Sequence, residues 1–242
     1  LEAEEAEKEP LPSFSFLPSP FSFAESAMIR IAILDYGLGN LRSVWQAFRH
    51  VGLDAFVTSR PEEAGQAGAL VLPGVGAFGD GMAGLKERGL AEPVRAAAAA
   101  GKPLLGICLG LQLLFERSSE SPGQEGLGLL PGEVLRFEGP GFGARGGLKV
   151  PHMGWNTLSL GRPHPVLEGV ADGECVYFVH SYYVKPAQAG DELAWSDYGG
   201  RFCAAAGRGS LVGLQFHPEK SQTVGLKILR NFGAWINKGR VD

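Results

Sequence analysis

"KPLLGICLGLQ", residues 102–112, runs an apolar segment into a glycine-flanked cysteine and then into helical spacing. Leu104, Leu105 and Ile107 form a run short enough for a strand buried on both faces. Gly106 and Gly110 stand two residues either side of Cys108. That is the spacing of a nucleophile elbow, with cysteine where hydrolases of another fold place serine. In an elbow a strand ends, the nucleophile occupies a strained turn, and a helix begins. The flanking glycines leave room because a Cβ there would collide with neighbouring backbone. The helix start sets partial positive charge near the sulfur and favours the thiolate. The plainer alternative is a buried cysteine acting as a small hydrophobe.

Outward from this stretch the chain alternates strand and helix. "IRIAIL" (29–34) is a β-branched-rich run that stops at the turn "DYGLGN". "LRSVWQAFRHVG" follows with Leu41, Val44, Trp45, Phe48 and Val51 at helical spacing. "LDAFVT" (53–58) and "GALVLP" (68–73) read as the second and third strands, and residues 78–100 as helix interrupted near Gly89 and Pro93. "KPLLGI" is the fourth strand, and "LGLQLLFERS" begins the next helix. Four strands alternating with helices predict a parallel sheet covered on both faces. Beyond about residue 124, short runs such as "GEVLRF", "GWNTLSL", "CVYFVHSYYV", "RFCAAA" and "SLVGLQF" predict antiparallel strands added along one edge. A last helix is expected near 222–237, with Val224, Ile228, Phe232 and Trp235 on one side. The expected fold is α/β: an open, mainly parallel, flavodoxin-like sheet with helices on both faces and added antiparallel edge strands, in one domain over 28–242.

Composition narrows the function. Of the 242 residues, 36 are glycine, about twice the ordinary ~7% share, which predicts many tight turns and close backbone approaches. The net charge of −4 comes from residues 1–27, which hold six Glu and one Lys; the rest carries 20 acidic and 21 basic groups. That balance is no footprint for nucleic acid. Three cysteines argue against a disulfide framework and for a reducing, cytoplasmic setting. The longest apolar stretch is too short to span a membrane. Residues 1–27, acidic and then Pro/Ser/Phe-rich, read as a disordered or non-native N-terminal extension, with Met28 as the start. The alternative is a docking tail using Phe14, Phe16, Phe21 and Phe23.

Two further motifs bear on chemistry. "GVGAFG" (74–79) matches a dinucleotide fingerprint, but it follows the third strand, and that fingerprint belongs to the first βα turn. A glycine-rich loop exposing backbone N–H groups can instead bind an oxyanion. "QFHPEK" places His217 at the C-terminal end of a strand, where open α/β sheets build their sites. In an extended segment His217 and Glu219 share a face, and a carboxylate beside a histidine fixes its tautomer and supports the imidazolium. Taken alone, this could equally be a turn with a solvated acid. His50 ends a helix and His164 lies in a turn, whereas His152 and His180 head aromatic-rich stretches and are harder to dismiss. Cys175 and Cys203 read as core. No histidine pair has metal-ligand spacing and no C-x-x-C occurs, so neither metal nor cofactor is expected.

Together "GICLGLQ", "LPGVGAFGDGM" and "QFHPEK" resemble the class I glutamine amidotransferases over nearly all of 28–242. "DYGLGN" and "PHMGWN" (151–156) are similar to the glutaminase subunits of imidazole glycerol phosphate synthase, which serve histidine biosynthesis. The resemblance implies that Cys108 attacks the side-chain amide of glutamine, with His217 as proton carrier and Glu219 orienting it. It implies an oxyanion hole from the backbone N–H groups of Leu109 and of Gly74, Val75 and Gly76. In related enzymes this loop can hold an inactive peptide orientation until a partner engages. It also implies that Gln112, Ser181 and Tyr182 contact the substrate. Ammonia would pass to a separate (β/α)8-barrel cyclase subunit that meets Asn40, Met153, Trp155, Asn156 and Lys220. Trp155 could equally be buried within the subunit. Two alternatives stay open: a stand-alone γ-glutamyl amide hydrolase, which would need no partner for full rate, and a non-catalytic α/β module with a redox-sensitive cysteine.

Overall fold

The structure is a computed structural model that describes residues 29–143 and 147–238; the expectations for residues 1–27 and for Met28 lie outside these. Along the chain the elements are β1 (Ile31–Leu34), α1 (Leu41–His50), β2 (Ala55–Thr58), α2 (Pro61–Gln66), β3 (Ala69–Gly74), α3 (Phe78–Glu87), α4 (Ala91–Ala99), β4 (Leu104–Cys108) and α5 (Leu109–Leu113). Then follow β5 (Arg117–Ser118), β6 (Gly132–Arg136), β7 (His152–Thr157), β8 (Ser159–Leu160), β9 (Cys175–His180), β10 (Tyr182–Pro186), β11 (Glu192–Asp197), β12 (Arg201–Arg208), β13 (Leu211–Leu214) and α6 (Gln222–Lys238).

The main sheet runs β2-β1-β3-β4-β13-β12-β10-β6-β5, with β11 and β8 continuing off β12. β2, β1, β3, β4 and β13 are mutually parallel, and β12 reverses the direction. Strand alternation sorts side chains to two cores. Ile31, Ile33, Val71, Leu105 and Ile107 join the cluster containing Phe48 of α1 and Phe232 of α6. Ala32, Leu34, Leu70, Leu72 and Leu104 join the one containing Met82 of α3 and Val94 of α4. Strands buried on both faces explain why these runs are continuously apolar.

The helices follow local chemistry. Asn40 accepts from the Ser43 N–H and caps α1, and Arg49 and His50 occupy its last turn, where cations suit the dipole. The break between α3 and α4 falls at Gly89, φ +66°. Pro93, expected to break the run, lies inside α4; in a first turn its missing N–H has no partner to lose.

Four other expectations need correction. The helix after the elbow stops at Leu113 instead of running through "LLFERS". β13 is not an added edge strand: it lies inside the sheet, parallel to β4. β7 and β9 leave the sheet edge to form their own two-stranded antiparallel ladder, in register from His152↔His180 to Thr157↔Cys175. Cys175, at the open end of that ladder, is exposed, whereas Cys203 is buried.

Candidate active site

β4 ends at Cys108, where the backbone turns with φ 54° and ψ −107°. A residue with a side chain holds such a conformation at a cost of roughly 1–3 kcal/mol. The two glycines allow the turn through close approach. A Cβ at Gly110 would overlap the Leu72 carbonyl oxygen, and one at Gly106 would sit 2.8 Å from the Leu111 nitrogen. With α5 only five residues long, local N–H groups outweigh any long helix dipole at the sulfur.

Sheet register assembles the rest. β3 sets Gly74 directly beside Cys108, and β13 sets Leu214 beside Ile107, so the chain after β13 leaves the sheet on the other side of the nucleophile. Gln215 Nε2 lies 3.8 Å from Cys108 Sγ, which lies 3.8 Å from the Val179 carbonyl oxygen. His217 follows two residues after Gln215. Its Nδ1 is 2.7 Å from Glu219 Oε1, and the two side chains are 3% and 1% exposed. Pro218–Lys220 is a single 3-10 turn, so Glu219 reaches the imidazole by a turn and not by strand alternation. Ser221 Oγ donates to the His217 carbonyl and His217 N–H to the Tyr177 carbonyl, which fixes the backbone on both sides of the ring.

Electrostatics favour a charged imidazole. Burial works to lower the pKa of His217, but hydrogen bonding to, and the charges of, Cys108 and Glu219 outweigh it and push the pKa up to about 10. Among the described residues Nε2 has no nitrogen or oxygen partner, which leaves it to the Cys108 sulfur.

A cavity of about 260 Å³ opens over the sulfur, lined among others by Val75, Gly76, Leu109, Gln112, Ser181 and Tyr182. Gln112 Nε2 is committed to the Tyr182 carbonyl, 2.9 Å, and to Gln215 Oε1, 3.2 Å, so the Gln112 amide oxygen is the end left for a ligand. Glu120 and His180 also line the cavity, and neither belongs to the expected substrate contacts. Glu120 Oε2 accepts from the Phe78 N–H at the start of α3, 2.7 Å. His180 Nδ1 donates to the Tyr182 carbonyl, 2.9 Å, and its Nε2 accepts from His152 Nδ1, 3.0 Å. Burial lowers both pKa values, to about 3 for His180 and about 4 for His152, so both rings stay neutral. A larger cavity, about 460 Å³, lies around Leu160, Arg162, His164 and Leu193 and offers neither thiol nor hydroxyl.

The expected partner contacts lie on the outside. Met153 is 63% and Trp155 48% exposed, so Trp155 is not buried within this chain. The Trp155 and Tyr177 rings meet edge to face at 5.9 Å, and Lys220 Nζ lies 5.7 Å from the Tyr177 centroid. Asn40 is exposed and caps α1. Asn156 differs from the rest: its amide nitrogen donates to the Asp197 carbonyl and approaches His152 Nε2, and its oxygen accepts from the Thr157 N–H. Its amide is spent within the chain. Among the described residues no helix is long and apolar enough to cross a membrane, and no group of three His, Cys, Asp or Glu is placed to hold a metal.

Comparisons with known proteins bear on this geometry. The family model "Glutamine amidotransferase class-I" matches residues 32–235. "Imidazole glycerol phosphate synthase subunit HisH" of Syntrophotalea carbinolica is 54% identical over 203 residues, 84% of this chain and 98% of its own length. The protein of that name from Geobacter metallireducens is 52% identical over 206 residues, covering 85% and 98%. A crystal structure of a glutamine amidotransferase superposes with a TM-score of 0.66 at 22% identity, over 86% of this chain and 98% of that one, and supports the fold. The chain belongs to the class-I glutamine amidotransferase family and, within it, to the HisH subunits of imidazole glycerol phosphate synthase.

Proposed function

We propose that this chain hydrolyses glutamine at Cys108 and delivers the ammonia to a (β/α)8-barrel cyclase subunit that makes imidazole glycerol phosphate in the cytoplasm. The observation that carries the reading is the buried His217–Glu219 pair held against a cysteine on a strained elbow. The reacting form pairs the thiolate of Cys108 with the His217 imidazolium. Sγ attacks the amide carbon, and the carbonyl electrons move onto oxygen. That oxyanion is met by the Leu109 N–H and by N–H groups of loop 74–76, each such donor being worth about 10²–10³ in rate. His217 Nε2–H protonates the amide nitrogen, the C–N bond breaks, ammonia leaves, and a γ-glutamyl thioester remains. Neutral His217 then takes a proton from water, whose oxygen attacks the thioester. Collapse returns the thiolate and releases glutamate. Glu219 holds Nδ1–H throughout and supports the charge on the ring.

Among the described residues Glu120 is the one carboxylate lining the cavity. It suits the α-ammonium of glutamine, while Gln112, Ser181 and Tyr182 frame the rest of the amino-acid end. Free ammonia in water becomes ammonium and loses its nucleophilicity, which is why direct transfer is part of the proposal. The exposed Met153 and Trp155, with Lys220 and Asn40, supply an apolar centre with a polar rim; Asn156 braces β7 behind them. A stand-alone amide hydrolase is not favoured, since the relatives are named as synthase subunits. Glutamate release by the chain with and without the barrel subunit and its nucleotide ligand tests the proposal. Strong stimulation is expected, and full activity of the isolated chain would contradict it.

A further inference from the structure

The mechanism above leaves one buried group behind the oxyanion loop unused. Tyr36, in the turn after β1, is 1% exposed, and its hydroxyl has no hydrogen-bond partner among the described residues. Its place is tightly set. A Cβ at Gly74 would overlap that hydroxyl and lie 3.1 Å from Leu109 Cβ, and a Cβ at Gly84 would overlap the Tyr36 carbonyl oxygen. The phenol oxygen therefore stands against Gly74 on the side that also faces Leu109, and both residues have N–H groups that are candidate oxyanion donors. The ring packs in the core with Leu72, Phe78 and Met82 and does not line the glutamine cavity.

A buried hydroxyl without a partner is costly, and phenylalanine would fill the same space without that cost. Leu109 is fixed at the start of α5. The peptide between Gly74 and Val75 has more freedom: glycines flank Val75, which is 39% exposed, and Gly76 holds φ +119°. In a trans peptide the C=O and N–H point to opposite sides. Turning the Val75 N–H into the cavity therefore swings the Gly74 carbonyl toward the core, where the phenol stands.

We infer that Tyr36 is a positioning residue of the oxyanion hole, its hydroxyl donating to the Gly74 carbonyl when the Val75 N–H turns toward the tetrahedral oxyanion. Burial and a nearby Cys108 thiolate both keep the phenol protonated, so it stays a donor throughout the cycle. The inference rests on the glutaminase reading.

The test compares Tyr36→Phe with the unaltered full chain, each with the barrel subunit, using glutamine and an aldehyde analogue of glutamine that forms a tetrahedral adduct on the cysteine. The expected result is a kcat about tenfold lower with KM within about twofold, analogue binding weaker by a similar factor, and a Tm equal or higher. Unchanged kcat and analogue affinity would overturn the inference. So would a variant that fails to fold or melts several degrees lower, because a hydroxyl with no resting partner contributes nothing to the resting fold. If the unaltered chain releases no glutamate, the glutaminase reading falls and takes the inference with it. An active parent with an equally active Tyr36→Phe removes the inference alone.

Discussion

Replacing Glu219 by glutamine tests the site at the contact that sets its charge. The carboxylate is 1% exposed and its Oε1 lies 2.7 Å from His217 Nδ1. Glutamine keeps the shape, and its amide oxygen can still accept from Nδ1–H, so the tautomer survives and only the charge is lost. An opposite charge at this range shifts a pKa by about 1–3 units, and each unit is tenfold, or about 1.4 kcal/mol. In the parent, Cys108 and Glu219 together hold His217 near 10 against the opposing effect of burial. The imidazolium therefore persists across neutral pH and is lost only as pH rises through about 10. In Glu219→Gln the alkaline limb should move to about pH 7–9, so partner-stimulated kcat should fall by no more than about twofold at pH 7 and by about 2–100-fold at pH 9. Glutamate release from pH 6 to 10 measures both. A variant that matches the parent at pH 9, with an unmoved alkaline limb, would show that Glu219 is only a neighbour of the ring.

Gly110→Ala should be among the most damaging small substitutions in the chain, because its Cβ would overlap the Leu72 carbonyl in the sheet interior. Overpacking of this kind costs about 1–3 kcal/mol or more, readable as a lower Tm, whereas Gly52→Ala meets no atom within 4 Å and is limited to the strain of its positive φ. Acid should destabilise the fold through His152, His164 and His180, whose pKa values burial lowers to about 4, 4 and 3. These rings stay neutral in the folded chain and take up protons on unfolding. Their contribution is complete above the ordinary value near 6.5 and drains as pH falls through about 4, at up to about 4 kcal/mol per pH unit if all three titrate together. Urea melts from pH 7 to 4.5 check this, and a flat stability there would refute it. Lys220→Ala should weaken partner stimulation more than basal turnover, since Lys220 is exposed above Tyr177 and outside the cavity; equal stimulated rates in variant and parent would refute that.

What the chain reveals of itself follows how local each feature is. The elbow was readable because Gly106, Cys108 and Gly110 lie within five residues and a Cβ at Gly106 would meet backbone of the same turn; the collision at Gly110, with Leu72 of β3, was not. The parallel half of the sheet was readable because strands buried on both faces are continuous apolar runs. β13 and β7 were misplaced because the pattern of a strand does not say which strand lies beside it. His217 and Glu219 were paired from sequence, but by an assumed extended segment where a 3-10 turn does the work. Glu120 and His180 were not expected at the substrate: Glu120 arrives from 12 residues past the nucleophile by way of the α3 start, and His180 through the β7–β9 ladder. Tyr36 stood inside the "DYGLGN" motif, but nothing local tied its hydroxyl to Gly74, which lies on another strand.

In the proposed cycle Cys108 carries a γ-glutamyl thioester, which acid-quenched mass spectrometry of the full chain turning over glutamine with the barrel subunit should trap. A glutamyl adduct is expected on the peptide containing Cys108, absent in Cys108→Ala together with all glutamate release. Turnover that persists in Cys108→Ala, or an adduct on another residue, would contradict it.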